Sequence, residues 1–509
     1  MSDEPSSKEG GKPTIAALKT RPLERNIALT RLGLGAGGKI AFHSIANIFR
    51  GDISRDKANR DFYQRQAQIL ADELGRLKGS VMKAGQMLSL YGQYFLPEEA
   101  VTVLSSLQDD TPAVEWRVVA PVLERAIGKS RLRELEIDTA PLAAASLGQA
   151  HRARRKRDGM ELVVKIQYPG VADAIESDIK TLSRLMMVTR LAPRGLDLDP
   201  IFNEVREMLH REVDYDAERH FTESFAQKIA GDERLADRFV VPRVIGEYCA
   251  DTVLTTSYEH GLHVRDPKVQ TLPVQRRSAL GRSFLELFLA EFFRWGMVQS
   301  DPHFGNYRFR IGGQSPPADA PRPRSGKGEG QSQSDWRGEG AAEGGGRPDD
   351  RGQDRIVLLD FGATRIFGRG FIDSYARIVR GALARNRAEI WAGARAIGLM
   401  GEGFPQNVLD AFAQMCELIV EPFAEPDSGA VPPHLKTVNG AYRWGDSDLP
   451  MRAGAVAARN TLSVHFRVPP REIVFLHRRL AGVFIMLATL HAELDARALL
   501  QREISALSP

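Results

Sequence analysis

Apolar side chains recur at helical spacing through the first part of the chain and then change to the pattern of strands. Between residues 56 and 128 they recur every three or four positions, as at Val81, Ala84 and Leu88, which predicts helices. From about Leu135 to Ile166, the segments LEIDTAPLAAASLGQAHRA and ELVVKIQY, separated by a polar turn, are typical of strands. A sheet is therefore predicted directly after a helical region.

The rest of the chain is predicted to be mainly helical, with strands in a few places. Helical spacing resumes after Pro169, and the stretch MLHREVDYDAERHF is predicted to be one helix. Short strands are predicted between Val240 and Leu254, and helices dominate again from Val274 onward. Within that last region, YRFRI and RIVLLDFG are predicted to be two further strands.

An insert of biased composition separates those two strands. Residues 312–354 number 43, of which 11 are glycine and 5 are proline, and none is Val, Ile, Leu, Met or Phe. Such a segment buries too little apolar surface to offset the entropy lost on ordering. It is predicted to be a disordered loop between strands that are neighbours in the fold.

The composition as a whole is that of an ordinary globular protein. Of 509 residues, 43% are hydrophobic and 26% charged, with a net charge of +4, which excludes collagen-like, coiled-coil and wholly disordered chains and does not indicate nucleic acid. Two cysteines, Cys249 and Cys416, are too few for a disulfide framework or a zinc site. The polar N-terminus has no secretory signal, and the longest apolar run near the C-terminus, Leu480–Leu490, has 11 residues where a spanning helix needs about 20. A cytoplasmic protein without a transmembrane helix is predicted.

A glycine-rich run from Gly33 to Lys39 satisfies GxGxxG and most of the phosphate-binding loop pattern. Such a loop requires a strand before it and a helix after it, whereas the preceding ERNIALTRL is amphipathic and helical. Ile40 also stands where a Ser or Thr would hold Mg²⁺. We interpret residues 26–50 as a small-residue helix that packs against a neighbour or lies on a membrane.

The strongest chemical signal is a DFG tripeptide, which begins at Asp360 after the apolar strand IVLL. Upstream, Asp301 and Asn306 have the spacing of the kinase catalytic loop, in which the Asp faces the phosphoryl acceptor and the Asn reaches a metal beside the DFG Asp. Asp301 and Asp360 are 59 positions apart, and 16 remain without the 43-residue insert, which suits two strands and a turn. Asp301 is predicted to be catalytic, and Asn306 and Asp360 to bind the metal.

A lysine on the predicted sheet completes this pattern. Lys165 lies in VVKI, which is similar to the kinase strand whose lysine grips the α- and β-phosphates and pairs with a helix glutamate. Glu218 is the best candidate for that partner. Any one such charge is most often a solvated surface group, but the order and context of Lys165, Asp301, Asn306 and Asp360 together favour a kinase-like site.

The predicted phosphate-covering loop departs from that of ordinary kinases. Ala143, Ala144, Ala145 and Ser146 stand where a glycine-rich sequence is expected. Because the alanine Cβ restricts φ, this loop is expected to be stiffer and to approach phosphate differently.

Four further features make the resemblance specific, and the chain resembles the UbiB (ADCK-type) atypical kinase-like family over roughly residues 75–495. Lys83–Gln86 reads KAGQ, the family's KxGQ signature, and Glu212–Asp214 is its ExD motif. The alanine-rich loop is another family feature. Arg467–Pro470 with Leu476–Arg479 resembles the C-terminal signature.

This resemblance implies a two-lobed α+β protein-kinase-like fold with an N-terminal helical KxGQ extension and a helical C-terminal lobe. The expected division is a tail and glycine-rich amphipathic segment (1–55), the KxGQ extension (56–134), an N-lobe (135–258) and a C-lobe with the disordered insert (259–509). Lys83 and Gln86, three apart on one helix face, would enter the nucleotide cleft and meet Glu212 and Asp214. Without the other motifs, Lys83 would be a surface cation near Glu98 or Glu99.

The functions implied are binding of ATP or ADP with Mg²⁺, and ATPase or small-molecule kinase activity that supports ubiquinone or related isoprenoid-quinone biosynthesis. The expected partners are a quinone-pathway lipid or enzymes of that pathway, with peripheral contact to the inner face of a membrane. Two alternatives stay open: a nucleotide- and lipid-binding pseudokinase without turnover, and a protein kinase, against which the KxGQ obstruction counts.

Two departures from the family pattern bear on the site. His303–Gly305 replaces the commoner His-Pro-Gly, and Ser257 stands where an acid is usual at the hinge. Adenine is read there by backbone groups, so Ser257 and Tyr258 remain candidate nucleotide-binding residues. The basic run Arg152–Arg157 is either a contact for anionic lipid or a solvated hairpin turn.

Overall fold

The computed structural model describes most of the chain between residues 113 and 507. The described ranges are 64–70, 72, 83–85, 87–88, 101, 113–189, 198–312, 352–425, 428–453 and 470–507. Several predictions lie outside these residues, namely those for the tail and glycine-rich segment, for Gln86 and for the interior of the insert.

Strands and helices alternate in blocks, as the apolar pattern predicts. The strands are β1 Leu135–Ala144, β2 Gly148–Arg155, β3 Glu161–Gln167, β4 Phe239–Val240, β5 Val253–Ser257, β6 Met297–Gln299, β7 Tyr307–Arg310, β8 Arg355–Leu358, β9 Thr364–Ile366, β10 Tyr442–Arg443 and β11 Glu493–Leu494. The α-helices that the structure describes from end to end are α1 Trp116–Arg133, α2 Val171–Thr189, α3 Asp199–Glu212, α4 Tyr215–Ala230, α5 Pro267–Gln270, α6 Val274–Leu289, α7 Arg369–Leu383, α8 Arg387–Ala396, α9 Gln406–Ile419, α10 Arg471–Thr489 and α11 Arg497–Ser505.

The first lobe is built on an antiparallel sheet with the strand order β1-β2-β3-β5. In β3, Leu162, Val164 and Ile166 are fully buried, so the strand's alternation directs Lys165, between them, to the opposite face. Lys165 pairs with Ala150 on one side and Leu254 on the other, which makes it a residue of an interior strand. The predicted strands on either side of the polar turn are confirmed.

The helix predicted for MLHREVDYDAERHF is wrong in one respect, because two helices share it. Helix α3 ends at Glu212 and α4 begins at Tyr215. Asp214 between them has φ −88° and ψ 83°, and its carboxylate accepts a hydrogen bond of 2.9 Å from the amide of Ala217. A side chain that caps the second helix in this way favours a new start over a continuous helix.

The second lobe contains a three-stranded sheet ordered β4-β8-β7, the pair β6–β9 and most of the later helices. Strands β7 and β8 pair antiparallel, with Arg310 opposite Arg355, so the strands on either side of the insert are neighbours. At the base of the insert, the Gly312 amide donates to the Asp354 carboxylate at 2.9 Å. The apolar stripe Phe284–Phe293 is buried in the core of this lobe.

Helix α10 belongs to both cores. Val474 and Phe475 pack in the cluster formed by the first lobe and the N-terminal residues, including Leu88, whereas Leu476 and Val483 pack in the core of the second lobe. The C-terminal part of the chain therefore joins the two lobes and the N-terminal extension. Among the described residues, no helix is both long and apolar enough to cross a bilayer.

Candidate active site

An ion pair between a half-buried lysine and a buried glutamate joins the central strand of the first lobe to helix α4. The Lys165 ammonium group donates to both carboxylate oxygens of Glu218, at 2.9 and 2.7 Å. Its nitrogen also lies 3.7 Å from Asp360 Oδ2 and 4.9 Å from the centre of the Tyr215 ring. The structure thus brings together the lysine, the helix glutamate and the DFG aspartate that the sequence predicts.

Two acids keep the lysine charged in this enclosed position. Burial alone would lower the pKa of Lys165, but the carboxylates of Asp360 and Glu218 raise that pKa well above its ordinary value. A positively charged ammonium group at this point is suited to holding phosphate oxygens.

The DFG segment is fixed by contacts with α4 and with the strand before the catalytic loop. The Asp360 carboxylate accepts a hydrogen bond of 2.9 Å from the Gly362 amide, and the Gln299 side chain donates to the Asp360 carbonyl at 3.2 Å. Phe361 is buried against Phe225 of α4, with ring centres 4.7 Å apart. These contacts hold the Asp360 carboxylate beside Lys165.

Asp301 and Asn306, at the two ends of the predicted catalytic loop, are hydrogen-bonded to each other. The Asn306 side-chain amide donates to the Asp301 carbonyl at 3.3 Å and to Asp301 Oδ2 at 2.9 Å. His303 also restrains this loop, because its Nδ1 accepts a hydrogen bond from the Gly305 amide at 3.1 Å. Burial alone would raise the pKa of Asp301, but the Arg478 and Lys83 cations bring it below its usual value.

The donor atoms at Asn306 and Asp360 fit Mg²⁺. Both residues offer oxygen ligands, and Mg²⁺ is commonly held by one or two such side chains with water and substrate phosphates. Their backbones are tied together, because the Leu359 amide donates to the Asn306 carbonyl at 2.9 Å. Since the Asn306 amide nitrogen faces Asp301, its side-chain oxygen is the atom that would bind the metal. No cluster of three metal-ligating acids, histidines or cysteines occurs among the described residues.

The alanine-rich loop forms the turn between β1 and β2. Ala143 and Ala144 end β1 opposite Ala150 and Gln149, and the Ala145 amide donates to the Gly148 carbonyl at 2.9 Å. Ser146 in this turn is buried.

Gly148 explains how closely this turn approaches the rest of the site. A Cβ there would lie 2.6 Å from the Ile166 carbonyl oxygen and 2.8 Å from the Tyr215 hydroxyl. The loop is therefore seated against the strand of Lys165 and the first residue of α4.

The backbone amides of the two predicted hinge residues donate hydrogen bonds to other backbone groups of the protein. The Ser257 amide donates to the Arg243 carbonyl at 2.8 Å, and the Tyr258 amide donates to the Glu161 carbonyl at 3.0 Å. The Ser257 hydroxyl donates to Glu259 at 2.5 Å. Any adenine contact at these two positions would thus involve carbonyl groups or side chains.

The KxGQ and ExD motifs meet. Lys83 Nζ lies 3.1 Å from Glu212 Oε1, and Lys83 is near enough to Asp301 to lower that residue's pKa. Asp214 caps α4 and so orients the helix that carries Glu218. Gln86, the other motif residue, lies outside the described part of the chain.

Sequence reasoning placed Arg478 in the C-terminal signature but assigned it no role in the site. Its Nη2 donates to Asp301 Oδ1 at 2.7 Å across a separation of 177 positions. The sequence signal was present, because Arg478 is the first of two adjacent arginines inside the apolar pattern of α10. Charges in the middle of a buried helix require partners.

The basic run Arg152–Arg157 lies at the end of β2 and in the turn to β3, and the Arg152 guanidinium group stacks on the Tyr258 ring, 4.6 Å from the ring centre. Arg155 donates to Asp158 and Glu247, and Arg157 also donates to Glu247. These internal pairs favour the hairpin interpretation over a lipid contact.

Comparison with known proteins agrees with this geometry. Residues 106–393 match the ABC1 atypical kinase-like domain. The chain belongs to the ABC1 atypical kinase-like family. The resemblance to UbiB (ADCK-type) proteins, stated above from the motifs, is thereby confirmed.

Similar curated proteins extend across most of the chain. The mitochondrial atypical kinase COQ8 of Schizosaccharomyces pombe is 28% identical over 450 residues, which are 88% of this chain and 64% of that protein. The mitochondrial atypical kinase coq-8 of Caenorhabditis elegans is 28% identical over 94% of this chain and 58% of its own length. The mitochondrial atypical kinase COQ8B of the rat is 27% identical, and the match covers 92% of this chain and 77% of that protein. The chain therefore spans less than two thirds of the first two relatives.

A solved structure supports the fold. The Rv3197–erythromycin complex from Mycobacterium tuberculosis superposes with a TM-score of 0.53 at 23% identity, covering 89% of this chain and 100% of that one. With the domain match, it confirms the predicted two-lobed kinase-like fold of mixed helices and strands.

Proposed function

We propose that the protein is a Mg²⁺-dependent ATP-binding enzyme, an ATPase or a kinase of a small molecule or lipid, that supports ubiquinone or related isoprenoid-quinone biosynthesis. The observation that carries this proposal is Lys165, which bonds both oxygens of Glu218 and lies 3.7 Å from Asp360. This is the arrangement that positions ATP phosphates and their metal in kinases.

Each residue of the site has a role in this proposal. Lys165 binds the α- and β-phosphates, and Glu218 keeps it in place. Bound Mg²⁺, held by Asp360 and Asn306, would neutralise charge on the phosphates. Asp301, kept deprotonated, orients the attacking hydroxyl or water. The turn Ala143–Ser146 covers the phosphates, while Ser257 and Tyr258 line the adenine side.

The second candidate is a pseudokinase that binds nucleotide without turnover. It is favoured by the engagement of both Asp301 carboxylate oxygens, Oδ1 with Arg478 and Oδ2 with Asn306. A protein kinase is disfavoured, because Lys83 of the extension pairs with Glu212 at 3.1 Å and its charge lowers the pKa of Asp301, so the extension is close to the place where a polypeptide acceptor would have to bind. Measured turnover separates the first two functions.

The pathway rests on the relatives, whose names describe mitochondrial COQ8 atypical kinases. The test is quinone and intermediate profiling in a deletion strain that carries either the wild type or Asp301→Asn. We expect the wild type to restore the quinone and Asp301→Asn to fail at equal protein level. Restoration by both variants would favour the pseudokinase, and restoration by neither would remove the pathway assignment.

Peripheral membrane contact is a further part of the proposal, located in the glycine-rich segment. Residues such as Leu34 and Phe42 offer apolar surface, and Arg31 and Lys39 could meet anionic headgroups. Liposome flotation of the full chain and of a chain lacking residues 1–50 tests this idea. We expect truncation to abolish flotation with anionic vesicles, and equal flotation of both would contradict it.

A further inference from the structure

Helix α10 is fixed beneath the catalytic loop by a fully buried arginine. Arg479 donates from Nε and Nη2 to the Glu291 carboxylate at 3.1 and 3.0 Å, and from Nη1 to the Tyr307 hydroxyl at 2.6 Å. Tyr307 directly follows Asn306. Because a buried charge is retained only with its partners, this contact sets the rotation of α10 relative to the loop.

The same helix touches the other end of the loop through a glycine. A Cβ at Gly482 would lie 2.0 Å from the Pro302 Cβ, so the helix backbone lies directly against the residue after Asp301. The two ends of the loop Asp301–Asn306 are thus both seated on α10. This double contact makes α10 a rigid support.

Arg478 extends from that support to the carboxylate of the loop. Its Nη2 bonds Asp301 Oδ1 at 2.7 Å, while Asn306 bonds Oδ2 at 2.9 Å. The loop Asp301–Asn306 itself contains no lysine or arginine. The cation that holds Oδ1 therefore comes from a helix distant in the sequence.

We propose that Arg478 is a positioning residue for Asp301, and that α10 completes the phosphoryl-transfer site by fixing the carboxylate's orientation. This inference rests on the proposed function. A guanidinium group suits the role, because a charge-assisted hydrogen bond, here from Nη2 to Asp301 Oδ1, is short and strong. Without it, the Asp301 side chain would keep one hydrogen bond from Asn306 and could rotate away from the acceptor.

The experiment separates turnover from nucleotide binding. Lys165 and Asp360, which hold the nucleotide, do not contact Arg478 in the described residues, so Arg478→Gln should leave the ATP dissociation constant within about twofold. Its kcat should fall by about tenfold or more, since small misplacements of a reacting group are costly. Arg478→Lys should retain a higher kcat than Arg478→Gln, because lysine keeps the positive charge but lacks the planar guanidinium group.

Two controls make the result specific. Arg471→Gln alters an exposed arginine of the same helix, paired with Glu207 at 3.0 Å and 3.7 Å from the buried Glu204, and should retain wild-type kcat. In a double-mutant cycle, Arg478→Gln should have little effect on kcat in an Asp301→Asn background, because its target is gone.

An unchanged kcat in Arg478→Gln, or a loss that arises wholly from KM, overturns the proposal, as does full additivity with Asp301→Asn. If Arg478→Gln does not fold, Arg478→Lys is the variant that tests the proposal. A wild-type kcat in Arg478→Lys would then overturn the positioning role. A wild-type chain that binds ATP but never turns it over overturns the proposed enzyme activity and this role together. Wild-type turnover that survives Arg478→Gln overturns the positioning role alone.

Discussion

Lys83 of the N-terminal extension and Glu212 at the end of α3 form an ion pair with 3.1 Å between Nζ and Oε1. The two side chains are 22% and 33% exposed, so solvent screens the pair only in part. The pair ties the extension to the first lobe beside the helix that carries Glu218. A contact in this position can restrain the extension over the cleft.

The first prediction is that Lys83 and Glu212 act as one unit. Lys83→Ala and Glu212→Ala should each change ATPase rate or nucleotide affinity, and the double variant should differ little from either one, because each single change already breaks the pair. A double-mutant cycle on both quantities measures the coupling. Glu207→Ala, on the same helix, is the matched control and should be additive with Lys83→Ala. Strict additivity for Lys83 and Glu212, with unchanged melting temperatures, would leave Lys83 an ordinary surface cation.

The second prediction concerns the metal. Nucleotide with Mg²⁺ should raise the melting temperature of the wild type, because a ligand that binds the native state alone stabilises it, by about 2.7 kcal/mol at a hundred times its dissociation constant. In Asp360→Ala, the part of this rise in melting temperature that depends on Mg²⁺ should be lost, since Asp360 supplies the carboxylate ligand. Asp373→Ala on α7 removes a half-exposed acid that pairs with Arg369 at 3.0 Å, and its Mg²⁺-dependent stabilisation should equal that of the wild type. Equal stabilisation of wild type and Asp360→Ala would contradict the metal site.

Local patterns in the sequence were enough to predict the residues that share one strand or one loop. Lys165 lies between buried apolar positions of β3, and Asp301 and Asn306 belong to one short loop, so spacing alone constrains them. Glu218 was assigned to Lys165 by analogy, and the structure places the two in contact.

Features that depend on long-range contact or on one capping side chain were not predictable in this way. The break at Asp214 comes from a hydrogen bond that the helical periodicity hides. Arg478 reaches Asp301 over 177 positions, and nothing near either residue specifies that contact. Its position follows from how α10 packs between two cores, which is a property of the whole fold.

The third prediction is that the insert is dispensable. Replacing residues 313–351 by a short Gly/Ser turn should preserve the melting temperature and turnover, because loop-closure entropy changes by only about 0.6 kcal/mol for each doubling of length. Gly312 and Asp354 are retained, since their 2.9 Å hydrogen bond closes the base of the β7–β8 pair. As a control, Asp354→Ala in the full-length chain should destabilise this base. Loss of folding and turnover in the shortened chain would show that the insert docks on the domain.

The fourth prediction is a pH dependence that arises from His477 of α10. Its Nε2 lies 3.2 Å from the Tyr375 hydroxyl, and burial lowers the pKa of His477 to about 4, from an ordinary value of 6.5. His477 therefore binds a proton below about pH 6.5 in the unfolded chain, but only below about pH 4 in the folded chain. The free energy of unfolding should fall as the pH drops through this window, by up to about 3 kcal/mol from this group alone.

The test is the difference in unfolding free energy between the wild type and His477→Gln, measured by denaturant titration from pH 4 to pH 8. Glutamine keeps a polar partner for the Tyr375 hydroxyl but does not titrate, so the variant should lose stability less steeply below pH 6.5 and match the wild type's slope above it. His434→Gln provides the control, because it removes an exposed histidine that lies outside α10. Parallel curves for wild type and His477→Gln would mean that the imidazole accepts its proton in the folded state, and that α10 is open to water at this point.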